Sequence, residues 1–245
     1  MSIRPAPTRP ALRGPIHWTS IPKPSGGTRM LARLSTEDER GFLNSVARVV
    51  PFVERARGRE AIANRVDRSS PPRGSLSFEP LLRARGRWER ELQRLERTAR
   101  LIAVTDAREC YASIGLQVVQ DRLASLGARP DVVGEVGSWL RAFGEAGVIG
   151  LPVGPKASAV LADAVLLAGD AALRSAGVTH LRWVDDVVIA SPDLRSAVRA
   201  LDRLRQAWGT VGLEIHDGKT LMMNRDDSGA LPTRSTSPAG AVSLR

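Results

Sequence analysis

Cys110 is the only cysteine among 245 residues, so neither an intrachain disulfide nor a cysteine-built zinc site can form. Aromatic residues make up only 4% of the chain, and Tyr111 is the single tyrosine. There is no run of about 18 apolar residues, so no transmembrane helix and no membrane partner is expected. Met1–Pro15 carries four prolines and three arginines but no apolar stretch, which does not fit a secretory signal. A cytoplasmic location is therefore the default expectation. Lysine is also scarce: Lys23, Lys156 and Lys219 stand against 33 arginines (36 basic residues minus 3).

Positive charge, in contrast, is abundant. The formal net charge is +10 and the pI is about 11.2, which favours a polyanionic partner, most simply nucleic acid. In a background so biased toward arginine, each lysine marks a position that suits a compact ammonium. All three fall in glycine-containing segments. At this length the chain can bury a substantial core, as one large domain or two subdomains.

Proline and turn-former composition predicts disorder at 1–15 and at 225–245. Residues 21–31 read as two short strands around Gly26-Gly27. Thr36 and Glu39 suggest a capping box for a helix with Phe42, Val46 and Val49 on its apolar stripe, interrupted at Pro51. Residues 56–78 read as loop centred on Ser69-Ser70-Pro71-Pro72, and a second helix spans about 79–99. Leu101-Ile102-Ala103-Val104-Thr105 is a short buried strand ended by Asp106. One helix with Tyr111, Ile114, Val118 and Leu126 on a shared face follows, then helices near 131–146 and 157–175. Ser191 with Pro192 predicts another helix start, striped by Leu194, Val198, Leu201, Leu204 and Trp208. Leu213–Ile215 and Thr220–Met223 suggest a final hairpin. Strand, helices, hairpin, helix and hairpin in that order predict an α+β layer.

The stretch from Leu181 to Ala190 carries the chemistry. Two adjacent carboxylates, Asp185 and Asp186, separate two β-branched arms and read as the turn of a buried hairpin. Carboxylates crowded at the edge of a core repel one another unless cations compensate, and a divalent metal points to phosphoryl transfer. The alternative is a solvated turn. If the strand ending in Asp106 pairs beside this hairpin, three carboxylates share one edge.

Five segments in order resemble reverse transcriptases, in particular the compact bacterial ones of group II introns, retrons and phage-defence systems. These are Ile21-Pro22-Lys23 with Gly26-Gly27 and Arg29, the strand ending in Asp106 with Tyr111, and Gly150-Leu151-Pro152-Val153-Gly154-Pro155 with Ser158. Trp183-Val184-Asp185-Asp186 follows, and then Gly212-Leu213-Glu214-Ile215 with Gly218-Lys219-Thr220. The resemblance covers about residues 21–224. It implies an α+β right-hand polymerase palm, an antiparallel sheet with helices packed on one face, at 101–224. It further implies a small fingers subdomain at 16–100, with the thumb missing.

The implied activity is RNA-directed DNA synthesis by two-metal nucleotidyl transfer. Asp106 and Asp185, with Asp186 assisting, would hold two Mg²⁺ ions, with Mn²⁺ as the alternative. Lys23 and Arg29 would meet the triphosphate, Lys219 the pyrophosphate, Tyr111 the sugar, and Gly154 would line the nucleotide site. The partners implied are an RNA template, a DNA or RNA primer and dNTPs, with a partner protein or structured RNA in place of the thumb. Fragment status or short products are the competing explanations for the short C-terminal end.

Two residues depart from the family pattern. Val153 stands where glutamine is usual and cannot hydrogen-bond around the nucleotide. Trp183 keeps the bulk of the common tyrosine without its hydroxyl. The alternatives are an RNA-binding palm with an impaired site, untemplated DNA synthesis, and a nucleotide cyclase. The last lacks the Gly-Gly-acidic hairpin of diguanylate cyclases and gives Lys23 and Arg29 no role.

Overall fold

A computed structural model describes residues 12–23, 26–67 and 76–224. The centre of the 56–78 loop, all of the predicted C-terminal tail and most of the predicted N-terminal tail lie outside them. The described elements begin with β1 (His17–Pro22), β2 (Thr28–Arg33), α1 (Thr36–Ala47), α2 (Val50–Ala56) and α3 (Leu81–Thr98). Then come β3 (Leu101–Thr105), α4 (Cys110–Ser113), α5 (Leu116–Ser125), α6 (Pro130–Glu145) and α7 (Lys156–Ser175). The chain continues through β4 (His180–Trp183), β5 (Asp186–Ser191), α8 (Leu194–Gly209), a 3₁₀ turn (Asp217–Lys219) and β6 (Leu221–Asn224).

β1 and β2 form a separate antiparallel hairpin, with Ile21 opposite Arg29. The other strands make one antiparallel sheet in the order β4-β5-β3-β6. β3 is central: Thr105 pairs with Val187 of β5, and Val104 with Leu221 of β6. The expected final hairpin is therefore not one. β6 pairs with β3, and Ile215 bridges Ala107 instead. The reason is visible in β3 itself, whose apolar residues suit a strand covered on both faces and flanked on both edges.

Strand alternation divides the core in two. Ala103, Val187 and Ile189 share a cluster with Leu161 and Val165 of α7 and Leu201, Leu204 and Trp208 of α8. Ile102, Leu181, Trp183 and Val188 point the other way and share a second cluster with Ala84, Trp88 and Leu95 of α3. The helix layer is thus joined by one helix on the opposite face. Trp88 meets Trp183 edge to face, centroids 5.7 Å apart, a favoured aromatic arrangement.

Several helix boundaries differ from expectation, each through local chemistry. Ser35, not Thr36, is the first cap: its hydroxyl accepts from the Asp38 amide and donates to the Asp38 carboxylate. Pro51 opens α2 rather than ending α1, as its missing N–H permits. The helix expected after Asp106 is two helices, because Gly115 is extended and restarts the phase. Val119 and Leu123 are consequently the buried pair, in place of Val118 and Leu126. Asp193, not Ser191, caps α8 by accepting from the Ser196 amide. That rotates Ala197 and Ala200 inward and leaves Leu194 and Val198 exposed.

Gly150 has φ +68, and a Cβ there would fall 2.2 Å from the Tyr111 carbonyl oxygen and 2.5 Å from that of Ala112. Left-handed strain and overpacking add, so Gly150→Ala is expected to lower stability by about 2–4 kcal/mol. Urea unfolding would measure this, and a loss below about 0.5 kcal/mol would count against the close approach.

Candidate active site

The hairpin tip is a two-residue turn, Val184-Asp185, closed by the Trp183–Asp186 pair. The turn is therefore shifted by one residue from the expected Asp-Asp turn, and Asp186 is the first residue of β5. Val184 has φ +55, a region that β-branched residues rarely adopt and that primed hairpin turns require. The Arg182 guanidinium donates to the Val184 carbonyl at 2.7 Å and holds this conformation. One residue beyond the Thr105–Val187 pair, the register carries Asp106 toward Asp186. Alternation directs both to the side of Val104 and Val188, the face that α3 covers.

Asp106 is buried, with 7% exposure. Its Oδ2 accepts from Lys219 Nζ at 2.7 Å, while its Oδ1 is buried with no hydrogen-bond partner among the described residues. Its backbone oxygen accepts from the His216 amide, which ties the lysine-bearing loop to the end of β3. Burial, and then the charge of Asp106, hold the Asp185 carboxyl above the ordinary range, while Arg29 and Lys219 pull it back. Tyr111 is half-buried; burial first, with Cys110 and Asp185 adding, pushes its phenol well up, and Arg29 opposes this. Asp106, Asp185, Arg29, Lys219 and Tyr111 thus converge within electrostatic reach.

Lys23 sits exposed at the end of the β1–β2 hairpin, and its side chain has no ion pair among the described residues. Gly154 is brought close by its backbone: φ is +128, and a Cβ would lie 2.9 Å from the Ala32 oxygen. The neighbouring Val153 oxygen accepts from the Ala32 amide at 2.8 Å, which fastens the glycine-proline loop to β2.

The reverse transcriptase (RNA-dependent DNA polymerase) family model matches residues 21–236. The chain belongs to this family. Solved structures with a similar fold include telomerase from Candida tropicalis in complex with a fragment of telomeric RNA. The TM-score is 0.58 at 13% identity, over 89% of this chain and 41% of that one. Telomerase from Candida albicans, also with a telomeric RNA fragment, gives 0.51 at 12% identity, over 84% and 41%. The apo Candida tropicalis enzyme truncated from its C-terminal domain gives 0.52 at 11%, over 91% and 53%. The chain therefore spans about half or less of these neighbours' length. No curated protein sequence matches it. The fold is the palm-type reverse transcriptase fold, with mixed α/β composition and antiparallel sheets.

Reverse transcriptase domains generally use divalent metal ions. Among the described residues, no group of three or more His, Cys, Asp or Glu side chains gathers into a ready metal cluster. The donor chemistry nevertheless fits one: Asp106 has an orphaned buried oxygen, and Asp185 is a carboxylate that burial and its neighbour leave short of positive charge.

Beneath the hairpin tip lies a charged network that sequence reasoning missed. Arg182 is 1% exposed. Its Nε reaches both oxygens of Asp170 at 2.9 Å, and its Nη2 reaches Asp170 at 2.7 Å and Asp163 at 2.9 Å. Arg57 pairs with Asp163 at 2.5 Å and with Glu54 at 3.0 Å. His180 Nε2 stands 3.4 Å from Asp170. The backbone joins in, since the Arg182 amide donates to Glu60 and the Ile62 amide to Arg182. A signal existed: Asp163 and Asp170 are two turns apart on an Ala/Leu-rich helix, where buried carboxylates need a cation.

Burial opposes ionisation of Asp170, but Arg182 and His180 outweigh it and hold the carboxyl well below its usual range. A depressed folded value means that its stabilisation is complete above the unfolded pKa and is lost as pH falls below about 4. A carbon-detected NMR titration is expected to place the Asp170 midpoint below those of exposed carboxylates. A midpoint at the ordinary value would remove the network from the stability account.

Proposed function

We propose that this chain is an RNA-directed DNA polymerase that joins dNTPs to a primer 3′-hydroxyl at the edge formed by Asp106 and the Val184-Asp185 turn. The observation that carries the reading is the convergence of the buried Asp106, one of whose oxygens has no partner among the described residues, with the half-buried Asp185, and with Lys219 and Arg29 beside them. Asp106 and Asp185, with Asp186 assisting, would hold two Mg²⁺ ions, or Mn²⁺ as the alternative. When bound, these supply a lowered pKa for the primer hydroxyl and neutralise triphosphate charge.

The chain's own residues do the rest. Arg29 binds the triphosphate, where charge-assisted bonds are strong, and Lys23 extends that grip from the hairpin end. Lys219, released from Asp106, faces the departing pyrophosphate. Tyr111 lies under the sugar and excludes a 2′-hydroxyl, which favours dNTPs. Gly154 keeps the loop beside the nucleotide flat against β2. The telomerase neighbours solved with RNA support an RNA partner, and the motif order supports a compact bacterial type.

The testing experiment is extension of a labelled primer on an RNA template with Mg²⁺ and dNTPs, with and without template. Template-dependent incorporation is expected. Incorporation that survives template omission would move the reading to untemplated synthesis. The Asp106–Lys219 pair, which occupies one carboxylate oxygen, favours a second reading: an RNA-binding palm with an impaired site. Salt-sensitive RNA binding with no metal-dependent incorporation would select it.

A further inference from the structure

α3 has two opposed faces. Ala84, Trp88 and Leu95 seal it onto the sheet face shared by Trp183 and Val188. On the outside, Arg83, Arg90, Arg94 and Arg97 recur at spacings of seven, four and three residues, which is one stripe of an α-helix. All four are exposed. Arg83 and Arg90 have no acidic partner among the described residues, and Arg94 has only Glu91, at 4.0 Å. The helical repeat places Glu89 and Glu96 on a different flank from the stripe. Arg83, Arg90 and Arg94, with only Glu91 beside them among the described residues, leave an excess of positive charge that a polyanion lying across them would offset.

The direction of the helix gives the stripe its meaning. α3 ends at Thr98 and feeds directly into β3, which runs toward Asp106, so α3 runs antiparallel to that strand. Trp88 meets Trp183 beside the tip, whereas Arg100, just past the end of α3, donates its amide to the Ser191 carbonyl at the far end of β5. The stripe from Arg83 to Arg97 therefore spans about 21 Å (14 residues at 1.5 Å) from the tip down the palm. The other sheet face is filled by α7 and α8. A duplex whose end sits at the carboxylates and runs down the α3 side crosses this stripe.

We infer that the outer face of α3 is a docking rail for the sugar–phosphate backbone of the template–primer duplex. The inference rests on the polymerase reading and adds to it the surface that holds the product. Guanidinium groups suit phosphates because they bond in a planar fork and stay charged. Contacts of this kind position a duplex without reading its sequence.

The test uses the full chain, an RNA–DNA hybrid carrying a fluorophore, and anisotropy without metal or dNTP, titrated between about 50 and 200 mM salt. The Arg90→Gln/Arg94→Gln double variant should bind roughly tenfold or more weakly, and its log Kd–log salt slope should shrink by about two. The control is Arg195→Gln/Arg199→Gln on α8. It removes equal charge from the opposite helix layer, and its binding should match wild type. Circular dichroism melting of both variants should match wild type, since all four positions are exposed. Equal losses in the two variants would show that binding follows net charge alone and would overturn the rail. No loss in the α3 variant would also overturn it. Loss confined to the α3 variant, in a protein that fails to incorporate dNTPs, would uphold the rail and sink the polymerase reading instead. A wild-type chain that binds no duplex would sink both.

Discussion

Asp185→Asn is expected to abolish nucleotide incorporation and to leave the protein as stable as before, or more so. The two effects share one cause. Asp185 is a carboxylate in a half-buried turn, its ionisation opposed by burial and then by Asp106. A group whose folded pKa is raised is destabilising in its charged form, so removing the charge at pH 7 relieves the fold. The same charge is what a divalent cation would seek. Its loss should cost on the order of 10³-fold or more in rate, or about 4 kcal/mol of transition-state stabilisation. Asparagine is close in shape, so the turn and the Arg182 bond to Val184 persist. Primer extension and thermal melting on the same preparation separate the outcomes. Loss of activity together with a lower melting temperature would mean that the residue is structural. Extension within tenfold of wild type would remove Asp185 from the reaction.

Which parts of this architecture could be read from the chain depends on how local their causes are. β3, β4 and β5 were legible because an apolar arm is an apolar arm wherever it pairs, and α7 because an Ala-rich run closed by Gly177 has few other fates. The tip was legible to within one residue. What shifted it was Arg182, whose hydrogen bond to Val184 favours a turn that β-branched valine would otherwise avoid. The partner of β6 was not legible, since Leu213–Ile215 is nearer in sequence than β3 and only the tertiary fold carries it away to bridge Ala107. The position of α3 was hidden for a similar reason. Its Trp88 and Leu95 stripe shows an amphipathic helix but does not say against which sheet face it lies. Gly154 was singled out by motif, and the structure adds the physical cause, a left-handed residue pressed on Ala32. Lys23 shows the opposite pattern: its chemistry singles it out in sequence, and the structure adds only that it is exposed at the end of the β1–β2 hairpin.

Arg182→Met is expected to destabilise the fold by about 3–5 kcal/mol, because it leaves Asp163 and Asp170 buried without their shared cation. Arg57 still faces Asp163, so the heavier burden falls on Asp170, which is 1% exposed. A buried ion pair is often no better for stability than an apolar replacement of similar volume. An Arg182→Met/Asp163→Leu/Asp170→Leu variant removes both orphaned charges and should regain most of the lost stability. It cannot regain the hydrogen bond to the Val184 carbonyl, and without that bond the φ +55 turn has no side-chain donor holding it. The triple variant should therefore fold but polymerise poorly. Hydrogen exchange should also be faster at the Asp185 and Asp186 amides than in wild type, a readout independent of activity. Activity restored along with stability would make the network a packing device only. Activity still lost in a stable protein with a loosened tip would make Arg182 the residue that positions the turn. The choice of a charged network where apolar side chains would fit then follows from function, since only a fixed donor at that depth can hold Val184 left-handed and set Asp185 beside Asp106.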